Sequence, residues 1–311
     1  MVINNLKKIW IIALILSIGA GLVLYRANEQ RLKSLRGNLI FSSAETLDAV
    51  KKIELINNQQ KITLYDDDNL WRVAEADNYY ADMYLITALQ EAIRSAKTSN
   101  SIKNNKNISD QWTTINLFDD KNNLLDSVQI NDASNDGKHY IKYSHTPEIY
   151  RSNWRQSLPD AANAWTNKKL FNFDGREISR LEKDDVVISR RNEGAVFIDP
   201  RTNMPYHRFD YMKVFDAMSN IWYDKVLSSQ EFDEQKYPYQ QHIQFHTFAG
   251  LITDVYVYTD YQEYWIKIEL SSDKLPTYDT VEYIENNQFL YTDWWFRIPT
   301  DEGRTLFMTK F

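Results

Sequence analysis

Cysteine is absent from all 311 residues, which excludes a disulfide framework, thiolate catalysis and cysteine-ligated zinc or iron–sulfur centres. Glycine is nearly as scarce, with 8 in the chain. Beyond Gly19, Gly21 and Gly37, the rest are Gly137, Gly175, Gly194, Gly250 and Gly303, and none falls in G-x-G-x-x-G, G-x-x-x-x-G-K-[ST] or G-x-S-x-G. That spacing removes the backbone cradles for phosphates and the strained nucleophile elbow. Clustered basic residues are missing from the body as well. The formal net charge of −7 combines a basic start, with Lys7, Lys8, Arg26, Arg31, Lys33 and Arg36 against Glu29, with an acidic remainder. An acidic body is ill suited to a phosphate backbone, so nucleic acid is not an expected partner.

There is only one long apolar run, "IWIIALILSIGAGLVLY" from Ile9 to Tyr25. As a helix it spans roughly 25 Å, the short end of what crosses a bilayer. Trp10 and Tyr25 flank it, as rings at a membrane interface do. No small-x-small cleavage site follows, so a retained anchor is favoured over a cleaved leader. The chain is expected to begin with a short tail (1–8), then the anchor (9–25) and a basic juxtamembrane linker (26–44), with the body outside the cytoplasmic face of the inner membrane. Ala13, Ser17 and Gly21 recur at every fourth residue and would form a small-residue stripe, a helix-packing site for an integral-membrane partner in the lipid bilayer.

From Glu45 the patterning changes. "KKIELINN", "KITLYDDD" and "NLWRVAE" alternate between polar turns, as strands joined by hairpins do. In "ADMYLITALQEAIRSAKT" Met83, Ile86, Leu89, Ala92, Ile93 and Ala96 recur at helical spacing. Strands return in "WTTINLFDDKNNLLDSVQIN" and "KHYIKYS". The order then repeats: "REISRLEK", "VVISRRNEGAVFI" and the helix "FDYMKVFDAMSNIWYDKVLS". "INLFDDKNNLLDSVQIN" from Ile115 is answered by "IQFHTFAGLITDVYVYT" from Ile243, an offset of 128, and "YIKY" at Tyr140 by "WIKI" at Trp265. "IYRSNW" at Ile149 is matched to "LYTDWW" at Leu290. The expected fold class is α+β: an N-terminal transmembrane helix followed by two tandem similar modules, 45–170 and 171–311, of antiparallel strands with one main helix each.

The repeat decides how to read Asp66, Asp67 and Asp68. Their counterparts, Ser189, Arg190 and Arg191, invert the charge, so a hairpin tip is expected in place of a cation site. His242 and His246 have the i, i+4 spacing of zinc ligands on a helix, but the repeat places them on a strand, where four residues span about 13 Å. Asp119/Asp120 and Asp184/Asp185 fall in turns and do not converge on one substrate atom. No catalytic constellation and no cofactor are expected. Nine Trp and twenty Tyr remain, concentrated late in the chain. Tyr256, Tyr258, Tyr261, Tyr264, Trp265, Trp294 and Trp295 are the candidate aromatic binding surface, with sheet packing as the competing role.

The anchor, "KKIELINNQQKITLYDDDNLWRVAEADNYYADMYLITALQEAIRSAKT" and its weaker copy from Glu177 to Ser229 resemble a bacterial domain-of-unknown-function family of single-anchor proteins with tandem repeats. The likeness is a hydrophobic pattern with Trp71, Ala81 and Asp82. In the second copy Ala195 and Val196 stand near the tryptophan position, and Phe209 and Asp210 near the helix start. Members often occur near, or fused to, components of gliding-motility-type ABC transporters. The resemblance implies an envelope-facing accessory protein and no reaction. The functional expectation is a non-enzymatic binding or scaffolding subunit of an ABC-transporter-type membrane assembly. A cell-wall glycan-binding module is the alternative, and an envelope hydrolase the weakest.

Overall fold

Period-two alternation produces most of the architecture. In the computed structural model the described residues are 38–41, 47–57, 60–102, 108, 110–131, 138–144, 146–168, 170, 174–206, 208–219 and 221–308. The anchor run and its stripe Ala13, Ser17 and Gly21 lie outside them. Among the described residues no helix is long and apolar enough to cross a membrane. The chain divides into two compact units. One comprises the chain up to Thr63 together with Tyr84–Leu158, and the other Leu64–Met83 with Pro159–Phe311.

The first unit contains β1 (Asn38–Leu39), β2 (Lys52–Ile56) and the start of β3 (Lys61–Asp67). After β4 (Leu70–Val73) and β5 (Tyr79–Tyr80), which belong to the second unit, come α1 (Met83–Ser95), β6 (Lys97–Ile102), β7 (Thr113–Phe118), β8 (Leu124–Asn131), β9 (His139–Tyr143) and β10 (Ile149–Ser152). The sheet order is β1-β6-β10-β9-β8-β7-β2-β3. Ile53, Leu55, Ile115, Leu117, Val128 and Ile130 recur at every second residue of their strands and are buried on one face. Helix α1 buries Ile86, Leu89 and Ile93, the stripe its spacing predicts. Met83 departs from that stripe: at the first helical position it is exposed.

The second unit contains β11 (Ile178–Lys183), β12 (Val186–Ser189), α2 (Arg208–Ser219), β13 (Lys225–Ser228), β14 (Tyr239–Thr247), β15 (Leu251–Thr259), β16 (Tyr264–Ser272), α3 (Tyr278–Asn287), β17 (Trp294–Ile298) and α4 (Thr300–Met308). Its seven-stranded order is β12-β11-β14-β15-β16-β17-β13. Read from β13, this is the succession β6-β10-β9-β8-β7-β2-β3 of the first sheet, strand for strand.

The correspondence reaches individual atoms at the long hairpins. Asn122 N donates to Asp119 O (3.1 Å) and Asn123 N to Asp119 Oδ1 (2.7 Å). At the same offset Gly250 N donates to Thr247 O (3.2 Å) and Leu251 N to Thr247 Oγ1 (3.0 Å). Asn122 and Gly250 both have positive φ, the conformation Asn and Gly tolerate. A bulge after Leu117 then slips the β7–β8 register by one residue, whereas β14–β15 keeps its register as far as Gln241.

Two expectations change. Tyr150 lies opposite Ile141, and Phe296 opposite Ile266, so "IYRS" corresponds to "WFRI" from Trp295 and not to the segment at Leu290. The single helix expected in the second module is accompanied by α3, inserted between β16 and β17, and by α4 after them. Thr277 caps α3 by accepting from Thr280 N, and Asp279 lies in its first turn.

The aspartate stretch forms a hairpin. Asp68 and Asn69 are its two central residues, both with positive φ as a two-residue primed turn requires, and Arg72 holds Asp67 at 2.8 Å. Asp119/Asp120 and Asp184/Asp185 also lie at strand-to-strand turns.

Candidate functional site on the second sheet

Alternation gives the second sheet two unlike faces. Ile243, Phe245, Val255, Val257, Ile266 and Ile268 point into the main core of the second unit. His242, Gln244, His246, Asp254, Tyr256, Lys267 and Glu269 occupy the other face. Register sets their neighbours: His242 is opposite Tyr256 and Tyr256 opposite Lys267, while Gln244 is opposite Asp254 and Asp254 opposite Glu269.

These side chains form a continuous ladder. Asp254 Oδ1 lies 2.7 Å from His242 Nε2 and accepts from Gln244 Nε2 at 2.7 Å. Gln244 Oε1 lies 2.7 Å from His246 Nε2, which places the proton of that contact on the imidazole. His246 Nε2 is also 3.3 Å from Glu182, itself paired with Arg180 at 2.7 Å. Burial lowers the His246 pKa, against the pull of Glu182, and so disfavours the charged ring. On the other flank the Tyr256 ring stacks on His242 with centroids 4.8 Å apart. Its hydroxyl donates to Glu269 at 3.4 Å, and Lys267 holds the same carboxylate at 2.6 Å. Burial, reinforced by Glu269 and Asp254, pushes the Tyr256 pKa up to about 12.

A cleft of about 310 Å³ adjoins this ladder, lined by Asp254, Lys267, Glu269, Gln288, Tyr291 and Asp293 among others. It follows from the α3 insertion. Strand β17 pairs with β16 only from Tyr264 to Lys267, and residues Gln288–Asp293 flank the part of β16 beyond. Three carboxylates facing one ammonium favour a ligand rich in hydroxyl or amino donors.

The corresponding face of the first unit is uncharged at four of these positions, while Lys142, opposite Gln129, stands where Lys267 does. Thr114, Asn116, Ser127 and Gln129 replace His242, Gln244, Asp254 and Tyr256, with Ser127 Oγ donating to Asn116 Oδ1 at 2.7 Å. The second sheet therefore differs in carrying His242, Asp254 and Tyr256 where the first has Thr114, Ser127 and Gln129.

The seven candidate aromatics separate into three places. Tyr264 and Trp294 lie in the main core of the second unit. Trp265 and Trp295 join Phe232 and Tyr237 in a smaller aromatic cluster, with Trp295 stacked on Phe232 at 5.0 Å. Neighbours such as 264/265 and 294/295 must face opposite sides of a strand, so each pair is divided. Tyr256 and Tyr258 are half-buried on the face that carries the ladder, and Tyr261 is exposed. Tyr239, not singled out by the sequence, joins them with its ring 5.8 Å from Tyr258 and 53% exposed. Of the ladder residues, His242, His246 and Tyr256 stood out in the sequence, whereas Gln244, Asp254, Lys267 and Glu269 did not, although the alternation in "HIQFH" and "ITDVYVY" carries the signal for which side chains share a face.

The fold is thus that of an α+β protein with two similarly ordered, largely antiparallel sheets. Residues 71–238 match a domain of unknown function, DUF4340, and the chain belongs to that family. No curated protein and no solved structure matches it. The matched stretch ends before β14, so the ladder and the cleft lie outside it.

Proposed function

We propose that the protein is a non-enzymatic, membrane-anchored binding or scaffolding subunit, with the body outside the cytoplasm, serving as an accessory to an ABC-transporter-type membrane assembly. The observation that carries the binding role is the face of the second sheet. Its charged groups are held sideways by one another beside an open cleft, a preorganised recognition surface. The apolar run Ile9–Tyr25 supports anchoring, with Ala13, Ser17 and Gly21 as the stripe toward an integral-membrane partner. The test is affinity purification of the tagged full-length protein from gently solubilised membranes, followed by mass spectrometry. A stoichiometric permease and ATPase is the expected result. Recovery of the protein alone overturns the transporter reading.

A second reading, a cell-wall glycan module, is favoured by the cluster of Tyr239, Tyr256 and Tyr258 beside the carboxylate-rich cleft. Ring faces stack on sugars while acidic groups accept from hydroxyls. Titration with soluble wall fragments, followed by intrinsic fluorescence, separates the two. A saturable change lost in Tyr239→Ala supports the glycan reading, and no change removes it.

A further inference from the structure

The two halves differ sharply in burial at one equivalent position. In the first half Ala81 N donates to Trp71 O at 2.8 Å, and Arg72 and Val73 face Tyr80 and Tyr79 across the β4–β5 pair. The second half repeats this ladder. Tyr206 N donates to Phe197 O at 2.8 Å, Asp199 N to Met204 O at 3.0 Å, and Ile198 bridges both Ser189 and Pro205. Register therefore equates Trp71 with Phe197 and Tyr79 with Met204. Trp71 and Phe197 are both buried, yet Tyr79 is 3% exposed and Met204 68%.

Tyr79 is buried because it enters a slot in the second unit. Trp294, Phe296 and Tyr223 meet its ring edge-on at 5.0, 5.6 and 5.9 Å, and its hydroxyl donates to Leu290 O at 3.0 Å. Flanking contacts seat the turn: Ser228 N donates to Asp77 Oδ2 at 2.5 Å and Asp82 N to Trp165 O at 2.7 Å.

We infer that the turn carrying Met204 is a docking arm, and that its partner is a different polypeptide presenting an aromatic-walled slot on the same α+β module. The register-equivalent element of this chain already has such a slot as its partner. The arm is preorganised: Asn203 N donates to Asp199 O at 2.7 Å, and Arg201 N to Asp199 Oδ1 at 2.8 Å. Met204 is unbranched, and such a side chain adapts to slots of varied shape. A second copy of this chain is not the partner. Its slot is filled by its own Tyr79, and the first-unit counterparts of Trp294 and Phe296 are Glu148 and Tyr150. The contact is heterologous, the head-to-tail kind that modular assemblies use. It involves neither the cleft nor the anchor and stands apart from the reading above.

The test places p-benzoylphenylalanine at position 204 of the full-length protein in its native membranes, with position 124 as an exposed control, Leu124 being 56% exposed. After irradiation, adducts are mapped by tandem mass spectrometry. The expected adduct forms at 204 and not at 124, and joins a different chain carrying this module at its counterpart of β17 or of Tyr223. With the photoprobe moved to position 202, exposed on the same turn, Met204→Asp should lower the yield at least tenfold while leaving the melting temperature unchanged. No adduct, equal adducts at 124, an adduct to a protein without the module, or one to a second copy of this chain overturns the proposal.

Discussion

Tyr79 stands in the first half of the chain and belongs to the core of the second unit, so its removal should be felt far from its place in the sequence. Tyr79→Ala deletes a buried ring with four edge-on aromatic neighbours, at 5.0 to 5.9 Å. Truncations of this kind cost about 3–5 kcal/mol through lost transfer energy and the cavity left behind. Tyr79→Phe keeps the ring and removes only the bond to Leu290 O, at about 1 kcal/mol. At about 2–4 °C per kcal/mol for a unit of this size, melting falls by roughly 6–20 °C for Ala and by a few degrees for Phe. Hydrogen exchange read strand by strand is the decisive assay. Amides of β13, β16 and β17 should lose protection in Tyr79→Ala, while those of β7, β8 and β9 keep theirs. Loss of protection confined to β7–β9, or an Ala cost no larger than that of Phe, would refute the reasoning.

The two hairpin turns offer a paired test. Asn122→Gly should be neutral or slightly stabilising in urea melts because φ is positive there, whereas Gly250→Ala should cost more than 1 kcal/mol, since φ is +88° and a Cβ would meet Pro276 Cα at 2.9 Å. Gly303 on α4 abuts the buried Tyr264 ring, so Gly303→Ala should destabilise by about 1–3 kcal/mol in the same assay despite its better helix propensity. Lys183 Nζ donates to Phe307 O at 3.3 Å, and burial pushes its pKa down to about 8. The unfolded chain holds that proton up to about pH 10.4, so it binds more protons than the folded chain between those values and stability rises with pH from 8 to 10, by roughly 1–2 kcal/mol. Lys183→Met should flatten that rise in urea melts taken across the window. Above pH 10 the sign reverses, because burial raises the Tyr79 and Tyr291 pKa values and only the unfolded chain ionises them freely.

Much was legible from periodicity, because strand and helix repeats are local properties. The stripe Ile86, Leu89 and Ile93, the turn at Asp68–Asn69 and the strand character of "HIQFH" all follow from spacing and turn chemistry. The offset of 128 between the long hairpins was readable too, since equal turns need equal residues at positive φ, here Asn122 and Gly250. The amino-acid order alone thus determined the class of fold, most of the strands and which of their side chains share a face, but not β6 or β13, whose first residues or whole length lay in stretches expected to be helical. Tertiary structure decided what covers each face. Adjacent rings such as Trp294 and Trp295 look alike in sequence, yet one lines the main core and the other a smaller aromatic cluster. Only the folded chain could reveal that Tyr79 is enclosed and Met204 is not, or that Asp254 and Glu269 meet Asp293 around one cleft. Burial depends on long-range contacts that no local pattern encodes.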